Sequence, residues 1–242
     1  MSVGSSVNNV LKHIGLSIDR WPPPNSVKRH LRELFPDLGV DCVFDVGANK
    51  GQFAEMLREI GFDGHIVSFE PNQELYQRLV AASAGDARWS VRSDALGDVE
   101  DTAVLHVSEA DDLASVLTIS DYAKASFGAA ADVVRSESVS VRRLDGLYEG
   151  LRQEIGFSHP FLKMDTQGYD LQVLRGAEGC RAGLAGLMTE MSLQPLYVGM
   201  PSMAESLAAV REAGFDVTGL YPVVSDGSRR LIEVDCVARR AN

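Results

Sequence analysis

The chain predicts a doubly wound α/β fold: a mostly parallel sheet with one antiparallel strand near the C-terminus, preceded by a helical lead-in. Three observations predict it. From residue 40 onward, short apolar runs alternate with segments of helical periodicity, which is the pattern of a parallel sheet with crossover helices. The run 41–51, Asp-Cys-Val-Phe-Asp-Val-Gly-Ala-Asn-Lys-Gly, ends in a glycine turn that opens a helix, and the run 66–71, Ile-Val-Ser-Phe-Glu-Pro, ends in an acid. That pairing builds a nucleoside pocket at the carboxyl ends of the strands. The last two apolar runs, 215–223 and 230–238, flank Ser225-Asp226-Gly227-Ser228 and read as a hairpin, which turns one strand antiparallel.

In chain order, Val7, Val10, Leu11 and Ile14 have helical spacing. Trp21-Pro22-Pro23-Pro24 then forms a stiff link. Val27, Leu31, Leu34 and Phe35 form a second amphipathic helix, ended by Pro36. Residues 1–39 are therefore expected as a helical lead-in that packs on the domain or covers its pocket, with the main domain over 40–242. Strand 40–46 leads to a helix carrying Phe53, Met56, Leu57 and Ile60. Strand 64–69 leads to one carrying Leu75, Tyr76, Leu79 and Val80. Strand 89–95 runs into Asp94-Ala95-Leu96-Gly97, and residues 102–108 and 137–144 alternate as half-buried strands. Between these two lies 109–136, polar and rich in Ala and Ser, expected as a mobile substrate loop with a short helix. Strand 160–165 precedes a helix with Leu171, Leu174 and Ala177. Strand 186–191 ends near Glu190, and helix 202–213 carries Met203, Leu207 and Val210.

Composition narrows the function. The 242 residues carry a net charge of -11, against a nucleic-acid backbone as main partner and in favour of a neutral or cationic one. Cys42, Cys180 and Cys236 form no C-x-x-C pair and read as reduced core thiols of a cytoplasmic protein. The N-terminus has no signal-peptide pattern, and no run approaches the ~20 apolar residues of a membrane span. The turn Gly47–Gly51 is neither the G-x-G-x-x-G of a dinucleotide fold nor a P-loop. The five histidines are scattered and suit packing or surface roles better than catalysis.

A D-x-G-x-N-x-G turn resembles motif I of methyltransferases that use S-adenosylmethionine, and longer stretches make the resemblance more specific. The chain resembles the FkbM family of O-methyltransferases in VFDVGANKGQFA (43–54), VSFEPNQELYQRL (67–79), DALGD (94–98), VRRLDGL (141–147), FLKMDTQGYDLQVLRGAE (161–178) and EMSLQPLYVGMPS (190–202). It covers roughly 40–238, and departs from the family at Asp170, where many members carry Glu. It implies a Rossmann-like class I methyltransferase sheet, S-adenosyl-L-methionine as methyl donor, and a hydroxyl acceptor on a sugar such as a mannoside, polysaccharide or glycolipid. A phenol or polyketide acceptor, or a non-catalytic cofactor-binding or scaffold protein, are the rival readings. The intact Asp45, Gly47, Gly51, Glu70 and Asp165 argue against the last.

The resemblance and the chemistry together assign the residues. Asp45 and the turn Gly47, Ala48, Asn49 and Gly51 are expected at the methionyl end, with Asp45 orienting the amino group directly or through water. Glu70, followed by Pro71, accepts both ribose hydroxyls, since a carboxylate with two acceptor oxygens suits a diol. Asp94, Ala95 and Leu96 contact adenine, and Ser115 borders the cofactor. Asp165 and Glu190 end neighbouring strands about 5 Å apart, one as general base and the other as its partner. Alternatively they hold a divalent ion such as Mg. Lys163 shares the strand face of Asp165 and pairs with an acid. Tyr169, Gln194, Tyr197 and, from the long loop, Tyr122 are expected to stack on or bond to the acceptor.

Overall fold

The structure, a computed structural model, describes residues 21–23 and 25–241. The predicted helix around Val7–Ile14 lies outside the described residues. Helix α1 (Val27–Leu38) is capped by Ser26, whose hydroxyl accepts the Arg29 N–H at 3.2 Å. It does not end at Pro36 as expected. A proline in the last turn removes one hydrogen bond, and the helix runs on to Gly39, left-handed at φ 63°. Leu31, Leu34 and Phe35 pack into the core beside Phe161 and Val43. So α1 lies against the sheet and does not cover the pocket described below.

From there strands and helices alternate: β1 (Cys42–Val46), α2 (Gln52–Glu59), β2 (His65–Phe69), α3 (Gln73–Ser83), β3 (Trp89–Arg92), β4 (Ala95–Leu96), β5 (Asp101–Ser108), α4 (Asp121–Phe127), β6 (Val133–Arg142), α5 (Leu144–Ile155), β7 (Pro160–Met164), α6 (Asp170–Gly176), β8 (Gly186–Ser192), α7 (Met203–Glu212), β9 (Phe215–Ser225) and β10 (Leu231–Arg240). Seven strands form the main sheet in the order β3-β2-β1-β7-β8-β10-β9, and β4-β6-β5 form a second, smaller sheet. β1, β2, β3, β7 and β8 pair in parallel, while β10 runs antiparallel to both β8 and β9. The order reverses between β1 and β7, and the crevice at that switch point is where such sheets bind ligands.

Period-two alternation divides the strands between two cores. On β1, Cys42, Phe44 and Val46 face one layer, with Leu144 and Leu151 of α5, Leu171, Val173 and Leu174 of α6, and Val210 of α7. Val43 faces the other, with Ile66, Phe161, Met188 and Val237 from the neighbouring strands and Phe53, Ala54 and Leu57 of α2. Two positions beyond that apolar row, on the same face by alternation, stand Ser68, Asp45, Lys163 and Glu190, with Asp235 two positions before Val237 on antiparallel β10. The sheet thus ends in polar groups at the crevice. The three cysteines are free and buried, as expected.

Three boundaries differ from the sequence reading. Strand 89–95 breaks at Ser93-Asp94, because the chain leaves β2 and re-pairs as β4 with β6. The strand read at 137–144 begins at Val133, since β5 and β6 pair along the whole hairpin from Ser108↔Val133 to Asp101↔Val141, and it stops at Arg142. Segment 109–132 is not an open loop. It contains two 3-10 turns and α4, and buries Ile119, Ala123 and Ala131 against Leu196, Tyr197 and Ile232. Ser115 is tied to β5 by paired backbone bonds with His106, at 2.8 and 3.1 Å.

Candidate active site

The crevice opens into a cleft that is continuous with solvent and encloses, open solvent included, about 730 Å³. The motif I turn makes its floor. Gly47 is left-handed at φ 72°, and its N–H and that of Ala48 both bond the Phe69 carbonyl, at 3.0 and 3.1 Å. A Cβ at Gly47 would stand 1.9 Å from the Asp165 carbonyl oxygen, so only glycine lets the turn lie against the end of β7. A second close approach sets the far wall. A Cβ at Gly176 would stand 1.9 Å from the Gly97 carbonyl, so α6 packs flush on the turn that carries Asp94, Ala95 and Leu96.

Glu70 is the best-defined acid of the cavity. One oxygen accepts the Asn49 N–H at 2.8 Å and the other the Asn72 N–H at 2.9 Å, which fixes the carboxylate plane. Both oxygens retain acceptor capacity for a diol. Burial pushes its pKa up to about 7, although the two N–H groups and Lys163 pull the other way; Asp45 adds to the rise.

Asp45 is placed differently from expectation. Its side chain is 0% exposed and does not line the cavity. It lies 3.0 Å from Lys163 Nζ and accepts from Ser68 Oγ at 3.1 Å, and Ser68 in turn accepts from Trp89 Nε1 at 2.9 Å. Of the two contacts expected of it with a ligand amino group, direct or through water, this burial rules out the direct one. Lys163 sits opposite Asp45 in the β1–β7 register, donates to the Gly47 carbonyl at 2.9 Å and lies 3.6 Å from Asp165. Burial alone would lower its pKa, yet Asp45 and Asp165 hold it above the ordinary lysine value. Lys163 thus pins the motif I turn to the strand that ends in Asp165.

Gly47, Asn49, Glu70, Pro71, Asp94, Ala95, Leu96, Ser115, Asp165 and Tyr169 line one cavity, joined by Gln52, Phe69, Leu75, Leu105, Val116, Thr166 and Gln167, which the sequence did not single out. Ala48 and Gly51 do not line it; they shape the turn from beneath, with the Gly51 N–H bonding the Ala48 carbonyl at 2.9 Å. Glu190 also lies off the cavity wall. It stands beside Asp165, since β7 and β8 pair in register, and the Gln167 side-chain N–H groups bridge the two acids at 2.9 and 3.0 Å. Burial and the neighbouring Asp165 and Glu233 raise its pKa.

The acceptor-side aromatics are corrected. Tyr197 is buried, and its hydroxyl donates to Gln167 Oε1 at 2.9 Å and lies 3.3 Å from the Leu113 carbonyl, so it cannot offer a ring face to a sugar. Tyr122 packs in the 109–132 segment under the Arg230 guanidinium, 5.5 Å from its ring centre, and Gln194 is half-buried; neither lines the cavity. Asp170 closes the turn after β7: it accepts from the Thr166 N–H at 2.7 Å, from the Thr166 hydroxyl, and from Thr189 Oγ1 on β8 at 2.7 Å. Among the described residues no three or more His, Cys, Asp or Glu side chains converge on a point that could hold a metal ion. Gln167 places N–H donors where a cation shared by Asp165 and Glu190 would need lone pairs.

The main-sheet order β3-β2-β1-β7-β8-β10-β9, with a glycine turn after β1, an acid after β2 and β10 antiparallel to its neighbours, is that of a Rossmann-like methyltransferase sheet. The chain belongs to the family described as the methyltransferase FkbM domain, whose model matches residues 45–217. No curated protein matches the sequence. Among solved structures it is similar to EvdMO1, at 14% identity and TM-score 0.45 over 98% of this chain and 47% of that one, so the chain spans about half its length. It is also similar to Aeropyrum pernix fibrillarin with natively bound S-adenosyl-L-methionine, at 11% identity and TM-score 0.45 over 82% of this chain and 66% of that one. A Listeria monocytogenes protein provisionally assigned as an S-adenosylmethionine-dependent methyltransferase gives 8% identity and TM-score 0.48 over 88% of this chain and 97% of that one. Among the described residues no helix is long and apolar enough to cross a membrane.

Proposed function

We propose that this protein transfers a methyl group from S-adenosylmethionine to a hydroxyl of a neutral sugar. The observation that carries the reading is one cavity lined by Glu70, the Gly47 turn and Asp165 together. Glu70 fits the ribose diol of the donor. Leu96, Leu105 and Val116 offer an apolar slot for adenine beside Asp94, whose carboxylate can accept from an exocyclic amine. When bound, the donor supplies a methyl carbon on a sulfonium, open to attack by an oxygen as the carbon–sulfur electron pair returns to sulfur.

The chain's own residues then have three tasks. The Gly47 turn and Glu70 hold the donor in line with the acceptor oxygen; alignment of this kind supplies about 7–11 kcal/mol. The 109–132 segment, anchored by Ser115 and Tyr197, keeps water out. Asp165, at the cavity wall, takes the hydroxyl proton, a contribution of roughly 10²–10⁴-fold. The polar side chains of Asp165, Thr166, Gln167 and Tyr169 support a hydroxylated acceptor, and the net charge of -11 counts against an anionic one.

Labelled S-adenosylmethionine, offered with a panel of neutral glycosides, mannosides, glycolipid head groups, phenols and macrolides, tests the acceptor. Label is expected on a glycoside; transfer to phenols alone would replace the sugar reading. With the acceptor found and saturating, Asp165→Asn should lower kcat by ~10²-fold or more, while Glu190→Gln, off the cavity wall, should lower it by about tenfold or less. Equal, near-normal turnover in both would leave alignment as the whole of the chemistry.

A further inference from the structure

We propose that Gln167 is a positioning residue: its amide keeps Asp165 and Glu190 apart as two separately oriented carboxyl groups and fastens both to the segment that covers the cavity. Its use in turnover rests on the methyl-transfer reading, whereas its geometry does not.

The amide nitrogen has two hydrogens, and each has its own acid. One goes to Asp165 Oδ1 at 2.9 Å and the other to Glu190 Oε2 at 3.0 Å. These acids fix which way round the amide sits, because its oxygen would be repelled there. That oxygen instead accepts from the Tyr197 hydroxyl at 2.9 Å. The backbone carbonyl of Gln167 accepts from Ser115 Oγ at 2.8 Å. Both hydroxyl contacts reach the 109–132 segment: Ser115 belongs to it, and Tyr197 lies 3.3 Å from its Leu113 carbonyl. The backbone of Gln167 is left-handed, φ 53°, which a side-chain-bearing residue adopts at a cost and keeps only where its surroundings hold it.

The surroundings explain why a neutral donor is needed there. Asp165 directly follows β7 and Glu190 lies within the adjacent, in-register β8, so their backbones are about 4.8 Å apart. Asp170 in the same turn and Asp235 on β10 lie close by, Glu233 on β10 shares a hydrogen bond with Glu190, and Tyr197 approaches from the 193–200 loop. Lys163 approaches from below, but its closest acid is Asp45, at 3.0 Å against 3.6 Å for Asp165. Without the amide the two carboxyl groups would face each other with no donor between them. With it, each accepts its own hydrogen bond, and Asp165 keeps one orientation at the cavity wall. Movement of the covering segment reaches Asp165 through the same side chain.

The test uses the full chain in a chelator, without acceptor. Asp and Glu carboxyl carbons are labelled, the Asp165 and Glu190 signals are assigned with Asp165→Asn and Glu190→Gln, and their titration is followed in wild type, Gln167→Met and Gln167→Glu. Amide hydrogen exchange is read on the same samples. The apparent pKa of Glu190 is expected to rise by about one unit or more in Gln167→Glu, which puts a further carboxyl group beside it. Exchange in 109–132 is expected to quicken about tenfold or more in both variants, with α2 and α3 unchanged. Unaltered titration, or unaltered exchange in 109–132, would overturn the assignment. Should both variants fail to fold, Tyr197→Phe removes the hydroxyl that Gln167 Oε1 accepts from; faster exchange in 109–132 supports the link and unchanged exchange overturns it. A wild type that binds no S-adenosylhomocysteine would defeat the methyl-transfer reading while leaving the titration result to stand by itself.

Discussion

Lys163→Met is expected to destabilise the protein by about 3–5 kcal/mol, because removing one partner of a buried ion pair strands the other. Lys163 is 4% exposed and Asp45 0%, so neither charge can turn to water. Loss of the ammonium leaves the Asp45 carboxylate with Ser68 as its hydrogen-bond donor, and releases the Gly47 carbonyl from its contact at 2.9 Å. Equilibrium urea unfolding reads the effect. The double variant Asp45→Asn, Lys163→Met should recover at least half of the loss, since two neutral groups of similar volume replace the pair. A single variant within about 1 kcal/mol of wild type would show that the pair does not hold the turn to β7.

Gly47→Ala is expected to cost at least about 2 kcal/mol and to weaken donor binding about 100-fold or more. Two causes act together: the left-handed backbone at φ 72°, and a new Cβ 1.9 Å from the Asp165 carbonyl oxygen, which is backbone and cannot swing aside. Gly61→Ala separates them. That residue is also left-handed, φ 92°, but a Cβ there meets nothing within 4 Å. Its cost is the conformational share alone, expected to be about 1 kcal/mol, without loss of binding. If both variants behaved alike, the close approach of motif I to β7 would carry no weight.

Much of this was legible in the sequence because it is local. The glycine turn, the acid of β2 and Asp94 each follow an apolar run directly, and a parallel sheet brings consecutive strand ends together without further information. The pairing of Lys163 with an acid was legible from strand alternation, but which acid was not. Asp45 is fixed by the β1–β7 register, and that register places it inside the sheet rather than in the cavity. The same alternation that puts Val43 in the apolar core carries Asp45 beneath the turn. Tyr197 misled for a related reason: an aromatic in a loop reads as a platform, but the packing of Ile119, Ala123 and Leu196 around it is non-local. Gln167 gave no signal. Its role depends on a left-handed backbone and on three partners far apart in the chain, Ser115, Glu190 and Tyr197. Pro36 failed as a helix stop because its missing N–H falls in the last turn, where Gly39 already ends the helix.

The central claim is that this cavity holds S-adenosylmethionine by its ribose on Glu70, and calorimetric titration with S-adenosylhomocysteine across pH tests it most directly. The sign follows from burial: Glu70 holds its proton up to about pH 7 in the free protein. A diol donates to the ionised form, so binding must expel that proton. Affinity should therefore fall as pH drops below about 7, by at most tenfold per unit, and level off above it. Glu70→Ala should bind about 10- to 100-fold more weakly, a charged hydrogen bond being worth ~1.5–3 kcal/mol, and should lose the pH dependence while remaining folded. A wild type that binds nothing, or a folded Glu70→Ala with unchanged affinity and the same pH profile, would contradict it.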